Sequence, residues 1–208
     1  MLKLNRTHTY SNCIEETFRK QGVVILDGLV TEEDLDELRW YAINTPSDHY
    51  FGGGYNSIEG ADKHPKYLEL SERFIHTIPI LKDKIFDRGW IYVHDNECEG
   101  VTPHADPGVI NVNLWITPMH CIKDWSKNGL IVYDKKRPPD WTWEEYNQDI
   151  NKINRYLTES NAIPRLIEYK YNRITAFDSS YFHKTDGIST KPGDRNKRIN
   201  VTWMYNLN

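Results

Sequence analysis

Two short stretches hold the residue types that could do chemistry together: Pro103-His104-Ala105-Asp106 and, much further along, Tyr181-Phe182-His183-Lys184. On a β-strand or at its end, residues i and i+2 project to the same side, so His104 and Asp106 can reach one ion. A second histidine, His183, brought alongside by the fold completes a face of two imidazoles and one carboxylate. On a divalent iron that donor set leaves half of the coordination positions open. Taken singly, each residue has a plainer reading: His104 as a surface-loop histidine, His183 as a hydrogen-bonded histidine at the end of a core strand.

A third element bears on the same chemistry. In Arg198-Ile199-Asn200-Val201-Thr202-Trp203 the polar side chains Arg198, Asn200 and Thr202 alternate with apolar ones, as on a strand with one face on a core. An arginine pointing inward must meet an anion, because burying an unpaired guanidinium is costly. A dicarboxylate held by its far end would meet the guanidinium bidentately, with Thr202 or Asn200 as an extra donor. A protein carboxylate such as Asp178 is the alternative partner.

The elements that must position these residues follow from periodicity. Ser11 is a fair N-cap for a helix over 11–21, with Ile14 and Phe18 on one face, and Gly22 ends it before the strand Val23–Leu26. Thr31-Glu32-Glu33-Asp34 starts a second helix with acids in its first turn, and Leu35, Leu38 and Ala42 form its stripe. Residues 46–65 read as a loop with Gly52-Gly53-Gly54 as slack at its middle. A helix over 66–77, broken by Pro79, is expected to resume to Asp87. Strands are expected at 90–94, 109–117, 129–133, 165–169, 173–177 and 198–205. Within 109–117, Ile110, Val112, Leu114 and Ile116 oppose Asn111, Asn113 and Trp115, which suits a sheet between a core and a polar cavity. Residues 135–160 leave the β rhythm: Pro138-Pro139 precede a helical pattern over 141–157, read as an insertion that could serve as a lid. Residues 184–197 read as a polar hairpin loop. Helices first and short strands after argue for an α+β fold with a sandwich or distorted barrel.

Composition narrows the function classes. A chain of 208 residues with a formal charge of −4 is expected to be one domain, with no general attraction to nucleic acid or anionic lipid. Three scattered cysteines, Cys13, Cys98 and Cys121, lack zinc spacing and read as reduced thiols, which predicts a cytoplasmic protein. The opening Met1–Arg6 turns polar at once and is not expected to be a signal peptide. No segment is long and apolar enough to predict a membrane span.

With these residues in hand, 90–208 resembles the 2-oxoglutarate- and Fe(II)-dependent dioxygenases, whose signature is H-x-D, a later H and a following basic residue. The stretch Gly22–Ala42 is similar to their N-terminal part. More narrowly, Asn113–Pro118, Gly129–Tyr133, Phe177–His183 and Arg198–Thr202 resemble a bacterial and phage branch of that prolyl-hydroxylase-like superfamily. The resemblance implies a double-stranded β-helix (jelly-roll) core over 89–208, helical support over 1–88 packed on one sheet, and the 135–160 insertion. It implies that His104, Asp106 and His183 bind iron and that Arg198 binds the distal carboxylate of 2-oxoglutarate. Arg198 follows His183 by a longer interval than the family usually shows, so Arg195 and Lys197 are rivals; Arg195 lies in a solvated turn and Lys197 should face away. By the same resemblance Tyr92 and Asn113 could touch the co-substrate beside Thr202, although both also read as ordinary cavity lining. The implied activity couples oxidative decarboxylation of 2-oxoglutarate by dioxygen, with ascorbate as a candidate reductant, to hydroxylation of a small molecule or peptidyl residue. An acid at Asp106, where related halogenases have a small residue, favours hydroxylation. A non-catalytic sensor binding metal and 2-oxoglutarate is the alternative. A zinc hydrolase is disfavoured because no H-E-x-x-H pattern is present.

Overall fold

A computed structural model describes residues 3–208, with side chains from Asn12 onward. The Ser11 side chain and the Met1-Leu2 start of the polar opening lie outside that description. Helix α1 (Lys3–Gln21) begins well before Ser11, so Ser11 sits within the helix and not at its cap. Gly22 ends it at φ +68°, and β1 (Val23–Asp27) follows. The hydroxyl of Thr31 accepts from the Asp34 amide at 3.2 Å and caps α2 (Glu32–Asn44).

The stretch expected to be a loop is partly a hairpin: β2 (His49–Phe51) pairs with β3 (Tyr55–Ile58) across the three glycines. Two of these glycines, Gly53 and Gly54, are not slack. A Cβ at Gly53 would stand 2.3 Å from the Gly100 carbonyl oxygen, and Gly54 has φ +81°. Strands this short carry too few residues to show a period, which is why sequence pattern passes over them.

Helix α3 (Pro65–Thr77) ends on schedule, but the expected helix to Asp87 is a strand, β4 (Lys84–His94). Asp83, at φ 63°, breaks the helical path, and Lys84, Ile85 and Phe86 pair with the far end of the chain at Leu207, Asn206 and Tyr205. That pairing is wholly non-local.

The remaining elements are β5 (Glu97–Cys98), β6 (Ile110–Trp115), β7 (Leu130–Lys136), α4 (Trp143–Asn147), α5 (Ile150–Glu159), β8 (Pro164–Ile167), β9 (Arg173–Asp178), β10 (Tyr181–Thr185), β11 (Ile188–Ser189) and β12 (Arg198–Leu207). The expected loop at 184–197 thus contains β11, which pairs with β5. The main sheet runs β1-β9-β6-β12-β4-β3-β2; opposite it lie β10-β7-β8 and the short pair β11-β5. These are the two sheets of a double-stranded β-helix, with α+β composition as expected.

Two apolar layers hold the main sheet. On one face Val112, Leu114, Ile174, Val201 and Trp203 pack against Leu35 and Leu38 of α2 and Leu70 and Phe74 of α3. Burying each such side chain stabilises the fold by about 1.5–3 kcal/mol. On the other face Val23, Trp115 and Phe177 meet Leu130, Val132 and Ile167 of the smaller sheet. The insertion is helical as expected, opening with a Thr142/Glu145 capping box. Its buried Tyr146, Ile153 and Leu157 pack on Ala105 and Phe182, the neighbours of the candidate metal ligands.

Candidate metal centre and anion pocket

The fold welds the two motif stretches directly. His104 N donates to the His183 carbonyl at 3.0 Å and His183 N donates to the His104 carbonyl at 2.8 Å. This isolated antiparallel bridge places the imidazole centroids 4.2 Å apart. Asp106 N donates to the Ser179 carbonyl at 2.9 Å, so β10 and the turn before it carry the whole motif. From the insertion, Asn147 Nδ2 donates to the Ala105 carbonyl at 2.9 Å and the Tyr146 carbonyl accepts from Ala105 N at 2.9 Å. The residue between the two ligands is thus pinned from α4.

One donor atom from each of His104, Asp106 and His183 lies within 4.8 Å of the others. His104 Nδ1 lies 2.8 Å from the Thr102 carbonyl, and His183 Nδ1 lies 3.0 Å from the Tyr181 carbonyl. Each Nδ1 therefore carries a proton, and each Nε2 is the nitrogen turned to the Asp106 oxygens, at 3.8 Å for His104 and 3.3 Å for His183. Burial, reinforced by His183, lowers the His104 pKa to about 4, so its imidazole is neutral and free to ligate. Burial works against the Asp106 anion, yet its carboxyl stays below its ordinary range, with the Asn111 amide donating to it. Asn111 Nδ2 donates to Asp106 Oδ2, and Asn111 Oδ1 accepts from Ser179 Oγ at 3.2 Å. Two imidazoles turned to one point and an oriented carboxylate suit a divalent first-row metal such as Fe(II).

Across one cavity from this cluster stands Arg198, only 2% exposed. Its Nε donates to the Asn128 carbonyl at 2.8 Å, and its guanidinium carbon lies 5.5 Å from the Trp115 ring centroid and 5.8 Å from that of Tyr169. It pairs with no carboxylate among the described residues. Asp178, the alternative partner, is taken by Lys136 at 2.6 Å. Burial lowers the Arg198 pKa to about 10, which leaves it a cation at neutral pH. Of its rivals, Arg195 is exposed and Lys197 pairs with Asp194 at 3.3 Å and Asp95 at 3.6 Å. A buried cation with free donors toward a cavity fits a carboxylate-bearing ligand.

Tyr92, Asn113 and Thr202 also line this cavity, as do Trp90, His94 and Asn200. The hydroxyl of Thr202 accepts from Asn200 Nδ2 at 2.8 Å and donates to Asn113 Oδ1 at 2.9 Å. Burial pushes the Tyr92 phenol up and His94 well down, so both are neutral. Sequence reasoning passed over two contributors. Asn111 was placed on the cavity face, yet nothing marked it as the partner of Asp106. Asn128 acts through its carbonyl, held by its own side chain, which accepts from Ser189 N at 2.9 Å; a backbone acceptor leaves no trace in residue type.

No family model and no curated protein sequence matches the chain. Solved structures do. The non-haem α-ketoglutarate-dependent epimerase SnoN from nogalamycin biosynthesis superposes with a TM-score of 0.72 at 12% identity, covering 96% of this chain and 84% of its own. HygX from Streptomyces hygroscopicus, crystallised with nickel and 2-oxoglutarate, gives 0.67 at 8% identity over 92% of this chain and 85% of its own. A prolyl hydroxylase from Trichoplax adhaerens, in complex with a hypoxia-inducible-factor peptide, gives 0.59 at 11% identity over 99% and 92%. At such identities the likeness is one of fold, and that fold is the double-stranded β-helix of the 2-oxoglutarate/Fe(II) oxygenases.

Proposed function

We propose that the chain, acting as one domain, is an Fe(II)- and 2-oxoglutarate-dependent oxygenase that hydroxylates a small molecule or a peptidyl residue in the cytoplasm. The observation that carries this reading is the unpaired buried guanidinium of Arg198 facing the His104–Asp106–His183 cluster across a single cavity. Fe(II) held by those three side chains would supply, with 2-oxoglutarate and dioxygen, an oxidant for an unactivated C–H bond, releasing succinate and carbon dioxide.

The chain's own residues do the positioning. Thr102 and Tyr181 hold the histidine tautomers through their carbonyls, and Asn111 orients the Asp106 carboxylate. Arg198 receives the distal carboxylate of 2-oxoglutarate, with Thr202 beside it as a further hydrogen-bonding group. Asn113 fixes that hydroxyl, and Tyr92 walls the cavity toward the metal. Asp106 would take up the room that a halide needs in the related halogenases, which favours hydroxylation over halogenation. Fold neighbours include an epimerase and a carbocyclase as well as a prolyl hydroxylase, so the fold alone does not select the reaction.

Purified protein supplied aerobically with Fe(II), ascorbate and 2-oxoglutarate should release succinate above a metal-free control, and more so with a substrate. Failure to bind 2-oxoglutarate with metal present would overturn the reading. Binding without succinate release across a broad substrate set would convert it to a metal- and 2-oxoglutarate-binding sensor.

A further inference from the structure

Beside the co-substrate cavity lies a second, wider cleft, and the two share Trp90, Tyr92 and Asp106. A molecule in this cleft would lie against the metal cluster. Its outer walls are Glu59 and Asp62, on the 3-10 turn Glu59–Lys63 after β3, and Trp143 of the inserted α4. The insertion therefore contributes a wall of this cleft as well as pinning the ligand stretch.

The charges here are lopsided. Glu59 has only His49 nearby, at 3.8 Å between exposed side chains, and Asp62 makes no ion pair among the described residues. Among the described residues the one cation on the cleft is Arg88, which donates to Asp87 at 3.1 Å and is thereby offset. A further polar group is left over. Ser57 is 1% exposed and lines the cleft, and its hydroxyl has no hydrogen-bond partner among the described residues. A buried hydroxyl without a partner costs free energy unless a ligand completes it. Trp90 and Trp143 also line the cleft, and an indole is the aromatic ring that attracts cations best.

We propose that this cleft is the substrate subsite and that its substrate carries a protonated amine directed to Glu59 and Asp62, with Ser57 as a hydrogen-bonding partner at its inner wall. The inference rests on the oxygenase reading for its reaction but not for its charge preference. A carboxylate-bearing substrate would meet two uncompensated acids and is rejected.

The test uses three probes of one shape: benzylamine, benzyl alcohol and benzoate. Each is titrated into Mn(II)- and 2-oxoglutarate-loaded protein, and the paramagnetic relaxation of the probe protons reads affinity and closeness to the metal. Benzylamine should bind about five- to tenfold more tightly than benzyl alcohol, as one exposed and one half-buried carboxylate would give. Benzoate should bind most weakly. In the Glu59→Gln/Asp62→Asn double variant the preference should vanish, while unchanged 2-oxoglutarate affinity shows that the variant is folded. Equal binding of amine and alcohol, a preference kept by the double variant, or no probe near the metal would overturn the proposal. Should metal or 2-oxoglutarate fail to bind at all, the oxygenase reading falls instead, and tryptophan fluorescence titration of the metal-free protein still reads the charge preference.

Discussion

The two faces of β12 are made of alternate residues of one strand, and from Arg198 to Tyr205 all are buried, yet they differ in kind. Toward the helices stand Ile199, Val201, Trp203 and Tyr205; toward the cavity stand Arg198, Asn200, Thr202 and Met204. On the helix side every polar handle is satisfied: Trp203 Nε1 donates to the Tyr67 carbonyl at 3.1 Å and Tyr205 Oη to the Ser71 carbonyl at 3.0 Å. On the cavity side Asn200 Oδ1, His94 Nε2 and Trp90 Nε1 are buried without partners, and Arg198 has no anion, among the described residues. Burial is therefore not what separates a stabilising face from a functional one; unmet bonding capacity is. Each such atom costs about 1–3 kcal/mol, which the helix-side core offsets and a bound ligand would recover.

That contrast can be broken most sharply at the metal cluster. Asp106→Ala removes a donor and should lower metal affinity on the order of a thousandfold, read by equilibrium dialysis, with little change in melting temperature. Undiminished metal uptake would end the assignment. Arg198→Met comes next: 2-oxoglutarate affinity should fall by at least about a hundredfold, which is about 3 kcal/mol. The ligand-free variant should melt no lower than the parent, because an unpaired buried cation has been replaced by an apolar chain. A large drop in its melting temperature would mean that Arg198 is structural.

On the opposite face the effects should reverse. Leu114→Ala, in the helix-side core, should cost about 3 kcal/mol in urea unfolding while leaving 2-oxoglutarate affinity within about twofold. Smallest is the electrostatic tie between α2 and α3, where Asp34 meets Lys66 at 2.9 Å and Arg73 at 2.8 Å. Burial opposes the Asp34 anion, but its hydrogen bonds with Lys66 and Arg73 prevail and lower its pKa from 3.8 to about 2. A carboxyl whose pKa is lower in the folded state stabilises above its unfolded value. The benefit is lost as pH falls from about 4 toward 2. Asp34→Asn should therefore cost about 2 kcal/mol at pH 7 and flatten that acid limb, as followed by unfolding at several pH values. An unchanged acid limb would count against the tie.

Much of the site was legible in the chain because its signals are local. Alternation in 110–116 and 198–205 separates cavity from core within a few residues, since a strand's side chains have a period of two. The H-x-D spacing puts two donors on one side for the same reason, and an inward arginine on such a strand asks for an anion whatever surrounds it. The start of β4 and the 49–58 hairpin were not legible: their strand state comes from pairing with Leu207 and with Val93, distant in sequence, and not from their own patterns.

By itself, then, the sequence determined which residue types face inward and how each donor pair is spaced, because those follow from backbone geometry over a handful of bonds. Only the tertiary structure decided that His183 bridges to His104, that Lys136 takes Asp178 and leaves Arg198 unpaired, and that Asn111 orients Asp106. Each of these is a choice among competing partners, and it is made by which groups come within hydrogen-bonding distance once the sheets close.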